Sequence, residues 1–95
     1  MVSTWLIGAG KMAQDYAKVL DALGLPFEVI GRGVKSSEQF EKVTGQVVRT
    51  GGVVDALCSL PAAECAIVAV GVEDLASTAT ELVRGGVSRL MIEKP

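Results

Sequence analysis

The junction between Val2-Ser3-Thr4-Trp5-Leu6-Ile7 and Gly8-Ala9-Gly10 restricts this chain more than anything else in it. The first run is β-branched and apolar and reads as a strand, and the two glycines after it impose a sharp turn. From Met12 the apolar positions Tyr16, Val19, Leu20 and Leu23 recur in steps of three and four, marking one face of a helix that Gly24 closes. A strand that turns through glycine straight into a helix is the first half of a βαβ unit.

The same punctuation repeats along the chain. Phe27-Glu28-Val29-Ile30 is a second strand ending at Gly31-Arg32-Gly33. Ser36 and Gln39 have capping-box spacing for a second helix, with Phe40 and Val43 as its buried side and Gly45 as its stop. Gln46-Val47-Val48-Arg49 is the third strand, and Val53, Val54 and Leu57 form the apolar side of a brief third helix ended by Ser59-Leu60-Pro61. Cys65-Ala66-Ile67-Val68-Ala69-Val70 lacks polar alternation, as a central strand covered on both faces does. Glu73 and Asp74 are acids at a helix start, and Leu75, Ala79, Leu82 and Val83 continue that helix to Gly85-Gly86. Arg89-Leu90-Met91-Ile92 is the last strand, followed directly by Glu93-Lys94-Pro95. Strands alternating with helices imply right-handed crossovers. The expectation is therefore an α/β, doubly wound, parallel five-stranded sheet in the order 3-2-1-4-5, with helices on both faces.

Composition narrows the function classes. The 95 residues suit one domain spanning 1–95, with no internal boundary, and mean hydropathy of +0.43 argues for a packed core. A net charge of −2 gives no electrostatic reason to approach nucleic acid or an anionic membrane, and no apolar run is long enough to span a bilayer. The N-terminus carries no basic segment of an export signal, so a cytoplasmic location is expected. Cys58 and Cys65 lie in apolar sequence and read as small buried hydrophobes. With no His and no CxxC, neither a metal site nor a disulfide is expected. Trp5 and Tyr16 read as packing residues rather than a stacking platform.

Gly8-Ala9-Gly10-Lys11-Met12-Ala13 is a GxGxxA string between a strand and a helix, the context in which such a string marks a dinucleotide site. Gly8 permits the turn, Gly10 admits a pyrophosphate close to the backbone, and Ala13 lets the helix pack near the sheet. Free N–H groups and the positive end of the helix dipole favour an anion there, with Lys11 either assisting or simply solvated. About 20 residues on, an NAD site carries an acid for the ribose 2′-hydroxyl. Here Gly31-Arg32 stands instead. Loss of the carboxylate and gain of a guanidinium favour a 2′-phosphate, hence NADP over NAD. Lys35, Ser36 and Ser37 follow closely enough to complete a phosphate pocket, although Ser36 is equally explained as a cap. Val70, Gly71 and Leu75, at and after the carboxyl end of the fourth strand, are further candidate cofactor contacts.

With Glu93-Lys94-Pro95 placed directly after the fifth strand, the whole chain resembles the N-terminal domain of the Gfo/Idh/MocA oxidoreductases. The resemblance implies hydride transfer between NAD(P) and a sugar-like or other small alcohol or carbonyl substrate. That substrate would sit on a following α+β domain, through which any self-association would also run. Lys94 would then be the catalytic or substrate-orienting cation, with Glu93 and Pro95 shaping the cofactor pocket. Gly71-Val72-Glu73-Asp74-Leu75 departs from the polar Pro, Asn and His stretch common in the family, which leaves the substrate subgroup open. Alone, the domain would bind cofactor without turning over substrate. Two other readings stand beside this one: a non-catalytic nucleotide-sensing module, and a methyltransferase-like sheet, weakened by the missing acid after strand two.

Overall fold

The computed structural model describes residues 4–8, 10–31, 34–59, 63–70 and 72–92, with the backbone alone described at 34, 36, 72 and 74. In chain order the elements are β1 (Thr4–Ile7), α1 (Lys11–Ala22), β2 (Glu28–Ile30), α2 (Val34–Thr44), β3 (Val48–Arg49), α3 (Gly52–Ser59), β4 (Cys65–Val68), α4 (Val72–Arg84) and β5 (Arg89–Ile92). Every strand pairing is parallel, and the order is β3-β2-β1-β4-β5, as the alternation of elements requires. The strands are shorter than the apolar runs that announce them. Ladder bonds nevertheless continue past their ends: Ala69 N–H donates to the Ile7 carbonyl at 2.9 Å and Gly31 N–H to the Arg49 carbonyl at 2.9 Å.

The two faces of β1 divide the core. Leu6 packs with Ala13, Ala17 and Leu20 of α1 and with Phe40 of α2, while Trp5 and Ile7 pack with Val53 and Ala56 of α3 and Leu82 of α4. Trp5 is buried and Tyr16 partly so, which makes both packing residues, as expected. β4 is covered on both faces, with Ala66, Ile67 and Val68 all buried. α1 and α4 close identically. Gly24 and Leu25 donate to Asp21 and Leu20, and Gly86 and Val87 donate to Val83 and Leu82, each at 3.0 to 3.1 Å.

Several expectations about helix faces are corrected. Leu20, Phe40, Val53 and Leu82 are buried as expected, but Val19, Leu23, Val43, Val54 and Val83 are exposed, and the other inward positions are held by small or polar residues: Ala13 and Ala17, Ser37, Ala56, and Thr78. A helix lies close to a sheet only where its seam is narrow, and valines displaced by one position fall outside that seam. α2 begins at Val34, so Ser36 lies inside its first turn and does not cap it. Cys58 is exposed rather than a buried hydrophobe, and Cys65 is half-buried.

The two-residue β3 is tied down by side chains. Val48 N–H donates to Glu41 Oε2 of α2 at 2.9 Å, and Arg49 Nε donates to Glu28 Oε2 at 3.1 Å. The Arg49–Glu28 pair is half exposed and worth at most about 1 kcal/mol. The Glu41 bond satisfies a backbone donor at the sheet edge, so Glu41→Ala is expected to cost about 1 to 2 kcal/mol. A urea titration checks this, and a midpoint equal to that of the parent chain contradicts it.

Candidate functional site

Parallel strands deliver their carboxyl ends to one edge, where a doubly wound sheet binds its ligands. That edge is held together by backbone. Gly8 N–H donates to the Ile30 carbonyl at 2.7 Å, and Gly52 N–H donates to the Gly31 carbonyl at 3.1 Å. The ends of β1, β2 and β3 therefore form one fixed platform beneath the glycine turn.

The two described glycines of the turn do different jobs. Gly8 has φ +120°, a conformation L side chains rarely adopt, and a Cβ on it would overlap the Ala69 carbonyl. The fold itself demands glycine there. Gly10 has φ −84° and ψ −171°, open to any residue, and a Cβ on it would meet nothing within 4 Å. Glycine at this N-cap therefore leaves the space beside the start of α1 open.

Gly10 is the N-cap of α1 and supplies no side-chain cap, and Gln14 N–H takes its carbonyl at 3.0 Å. The N–H groups of Lys11, Met12 and Ala13, in the first turn, have no acceptor within the helix, and that turn holds no acidic side chain. Lys11 is exposed beside them, Met12 packs partly against the core, and Ala13 is fully buried against the sheet. The positive end of a helix dipole with such donors favours an anion, and a pyrophosphate would suit that chemistry.

Further along the edge, Gly31 is buried at the end of β2. The acid of that strand, Glu28, lies at its opposite end, on Arg49. Lys35 is exposed in the first turn of α2. Ser37 is only 4% exposed and turned into the core, which removes it from the expected phosphate pocket. A cavity of about 60 Å³ brings Gly8, Gly31 and Val70 together, with Gly52, Thr78 and Glu81 also on its wall. It has room for roughly two waters. Gly52, Thr78 and Glu81 went unnoticed in the sequence, where Gly51-Gly52 shows the same strand-then-glycine signal as the other two turns. Leu75 is half-buried and packs on the core below this edge, as does Val70. Ala9, Arg32, Gly71, Glu93, Lys94 and Pro95 lie outside the described residues, as does the side chain of Ser36. Among the described residues no group of three or more His, Cys, Asp or Glu is placed to hold a metal ion, and no helix is long and apolar enough to cross a membrane.

No protein-family model and no curated protein matches the sequence, but solved structures match its fold. GenD2 from gentamicin A biosynthesis, solved in complex with NAD, superposes with a TM-score of 0.79 at 22% identity, over 99% of this chain and 27% of its own. The WlbA dehydrogenase from Bordetella pertussis, in complex with NADH and UDP-GlcNAcA, gives 0.81 at 18% identity, over 99% and 29%. Biliverdin reductase from Synechocystis, in complex with biliverdin and NADP+, gives 0.71 at 21%, again over 99% and 29%. The chain thus spans less than a third of the length of each of these three proteins. The five-stranded order, the glycine turn and these superpositions agree: this chain has the Rossmann fold found in nicotinamide-dinucleotide-dependent oxidoreductases.

Proposed function

We propose that this chain is the NADP-binding domain of a Gfo/Idh/MocA-type oxidoreductase. The whole enzyme would move a hydride between the nicotinamide and a sugar-like or other small alcohol or carbonyl compound held by a second domain. The observation that carries the reading is Gly10: neither its backbone angles nor its neighbours require glycine, whereas a pyrophosphate against the α1 N-terminus does. The solved complexes of GenD2 with NAD, of WlbA with NADH and of biliverdin reductase with NADP+ support a nicotinamide dinucleotide as the ligand class. Their bound UDP-GlcNAcA and biliverdin support a small organic substrate. A cytoplasmic location, and no nucleic-acid partner, go with this reading.

The chain's own residues divide the work along the sheet edge. The amides of Lys11, Met12 and Ala13 bind the pyrophosphate, and Gly8, Ala9 and Gly10 let it approach. Gly31 and Arg32 receive the adenosine ribose, where the absence of an acid and the presence of a guanidinium select a 2′-phosphate. Lys35 and Ser36, in the first turn of α2, flank that phosphate. Val70, Gly71 and Leu75 border the nicotinamide arm. Glu93 shapes its pocket and Lys94 orients the substrate hydroxyl or exchanges a proton with it. When bound, the cofactor supplies the hydride chemistry.

The test of the NADP assignment is a fluorescence titration of the 95-residue chain with NADPH and with NADH. NADPH is expected to bind more tightly, and Arg32→Ala to shrink the difference by roughly tenfold, the loss of one charge-assisted phosphate contact. Equal affinities in the unmutated chain overturn the assignment.

A further inference from the structure

The cavity of about 60 Å³ at the carboxyl edge holds polar groups that the fold leaves unused. Thr78 on its wall is only 8% exposed, yet among the described residues its hydroxyl has no hydrogen-bond partner. No buried side-chain oxygen among those residues is sealed away without a partner, so this hydroxyl opens on the cavity. A buried hydroxyl left unpaired costs free energy, and one that opens on a cavity is prepared for whatever enters it. One turn further along α4, Glu81 reaches the same wall, and its carboxylate is likewise unpaired among the described residues. The facing wall is apolar and fixed, with Ile30 and Val53 buried and Val70 partly so, and Gly31 stands at its β2 end. This chemistry rejects most occupants. Glu81 repels a phosphate, one carboxylate with hydroxyls makes too few oxygen ligands for a metal ion, and a purely apolar group would leave the Thr78 hydroxyl unpaired. What fits is a small flat group that donates to a carboxylate and accepts from a hydroxyl beside it. Room for roughly two waters is enough for the edge of a heteroaromatic base and too little for its ring.

We propose that Thr78 and Glu81 read the amino edge of the cofactor's adenine, so that the chain selects a purine bearing an amino group over one bearing a carbonyl at the same carbon. This deepens the dinucleotide reading and rests on it. That reading puts the adenosine ribose at Gly31, and Gly31 belongs to this cavity's wall, so the base attached to the ribose lies at its mouth. The exocyclic amino group donates to the Glu81 carboxylate, and the neighbouring ring nitrogen accepts from the Thr78 hydroxyl. A carbonyl-bearing base undoes the first of these, setting an oxygen against a carboxylate with no proton between them. A site made to pair an N–H rejects the analogue that lacks it far more strongly than an apolar pocket can.

The test is a fluorescence titration of the 95-residue chain with NADPH and with its deaminated form, reduced nicotinamide hypoxanthine dinucleotide phosphate. NADPH is expected to bind about tenfold more tightly or better. Glu81→Gln is expected to bring the two within about threefold, because an amide presents either an oxygen or an N–H to the base. Glu81 is exposed, so this variant keeps the fold and the comparison stays decisive. Thr78→Val is expected to weaken NADPH binding about tenfold while its urea midpoint stays at or above that of the parent chain, since a hydroxyl without a partner adds nothing to the free fold. Equal affinities for the two dinucleotides, with NADPH still bound, overturn the proposal, leaving water as the cavity's occupant and the dinucleotide reading standing. Absence of binding by either dinucleotide overturns both. A lower midpoint for Thr78→Val with unchanged NADPH affinity makes that hydroxyl structural and overturns its part in reading the base.

Discussion

Gly8→Val is expected to unfold the chain or leave it about 3 to 6 kcal/mol less stable, the combined cost of a branched residue forced to positive φ and of steric overlap with backbone. The residue sits at φ +120° directly over the Ala69 carbonyl. Neither β1 nor β4 can yield, since Ala69 N–H is bonded to the Ile7 carbonyl and Gly8 N–H to the Ile30 carbonyl. A small domain has only about 5 to 15 kcal/mol of stability in total, so this one substitution consumes a large part of it. Urea denaturation followed by circular dichroism measures the loss. Gly8→Ala tests the same point with the smallest possible side chain, and a parent-like midpoint for either variant contradicts the description of this turn.

Gly10→Val is expected to do the reverse. Its backbone angles suit valine and its Cβ would enter open space, so the folded chain should lose only about 1 kcal/mol, the cost of a poorer N-cap. The isopropyl group would, however, occupy the volume in front of the Lys11, Met12 and Ala13 amides. Dinucleotide affinity should fall by about 100-fold or more, since the anion can no longer reach those donors. Unchanged affinity in a titration against NADPH contradicts the placement of the pyrophosphate. Two glycines separated by one residue thus give opposite outcomes, one lost in folding and the other in binding.

Much of this was legible before any coordinates. Sheet order followed from the alternation of apolar runs with glycine stops, because those stops are where the chain has to reverse. What misled was the size of side chains. Leu20, Phe40, Val53 and Leu82 are core residues as their repeat predicts, but Val19, Val43, Val54 and Val83 are exposed while Ala13, Ala17, Ser37, Ala56 and Thr78 hold the remaining inward positions. Periodicity weights large apolar residues, whereas a helix packed on a sheet mixes large side chains with small ones in its seam. Ser36 misled in a similar way: its spacing from Gln39 fits a capping box, but the helix already begins at Val34. At the site, the glycine spacing identified Gly8 as the turn and Gly10 as the place of close approach, but the positive φ of Gly8 and its closeness to the Ala69 carbonyl are tertiary facts. The cavity wall at Gly52, Thr78 and Glu81 comes from elements that meet only in the fold.

The claim that a dinucleotide lies across the carboxyl edge of the sheet is tested most directly by amide chemical shifts of the 95-residue chain during titration with NADPH. The expected result is saturable movement concentrated at Lys11, Met12, Ala13 and Gly31, with Val19, Val43 and Val54 unmoved. Saturable binding without movement at the α1 N-terminus, or no binding at all, would contradict it.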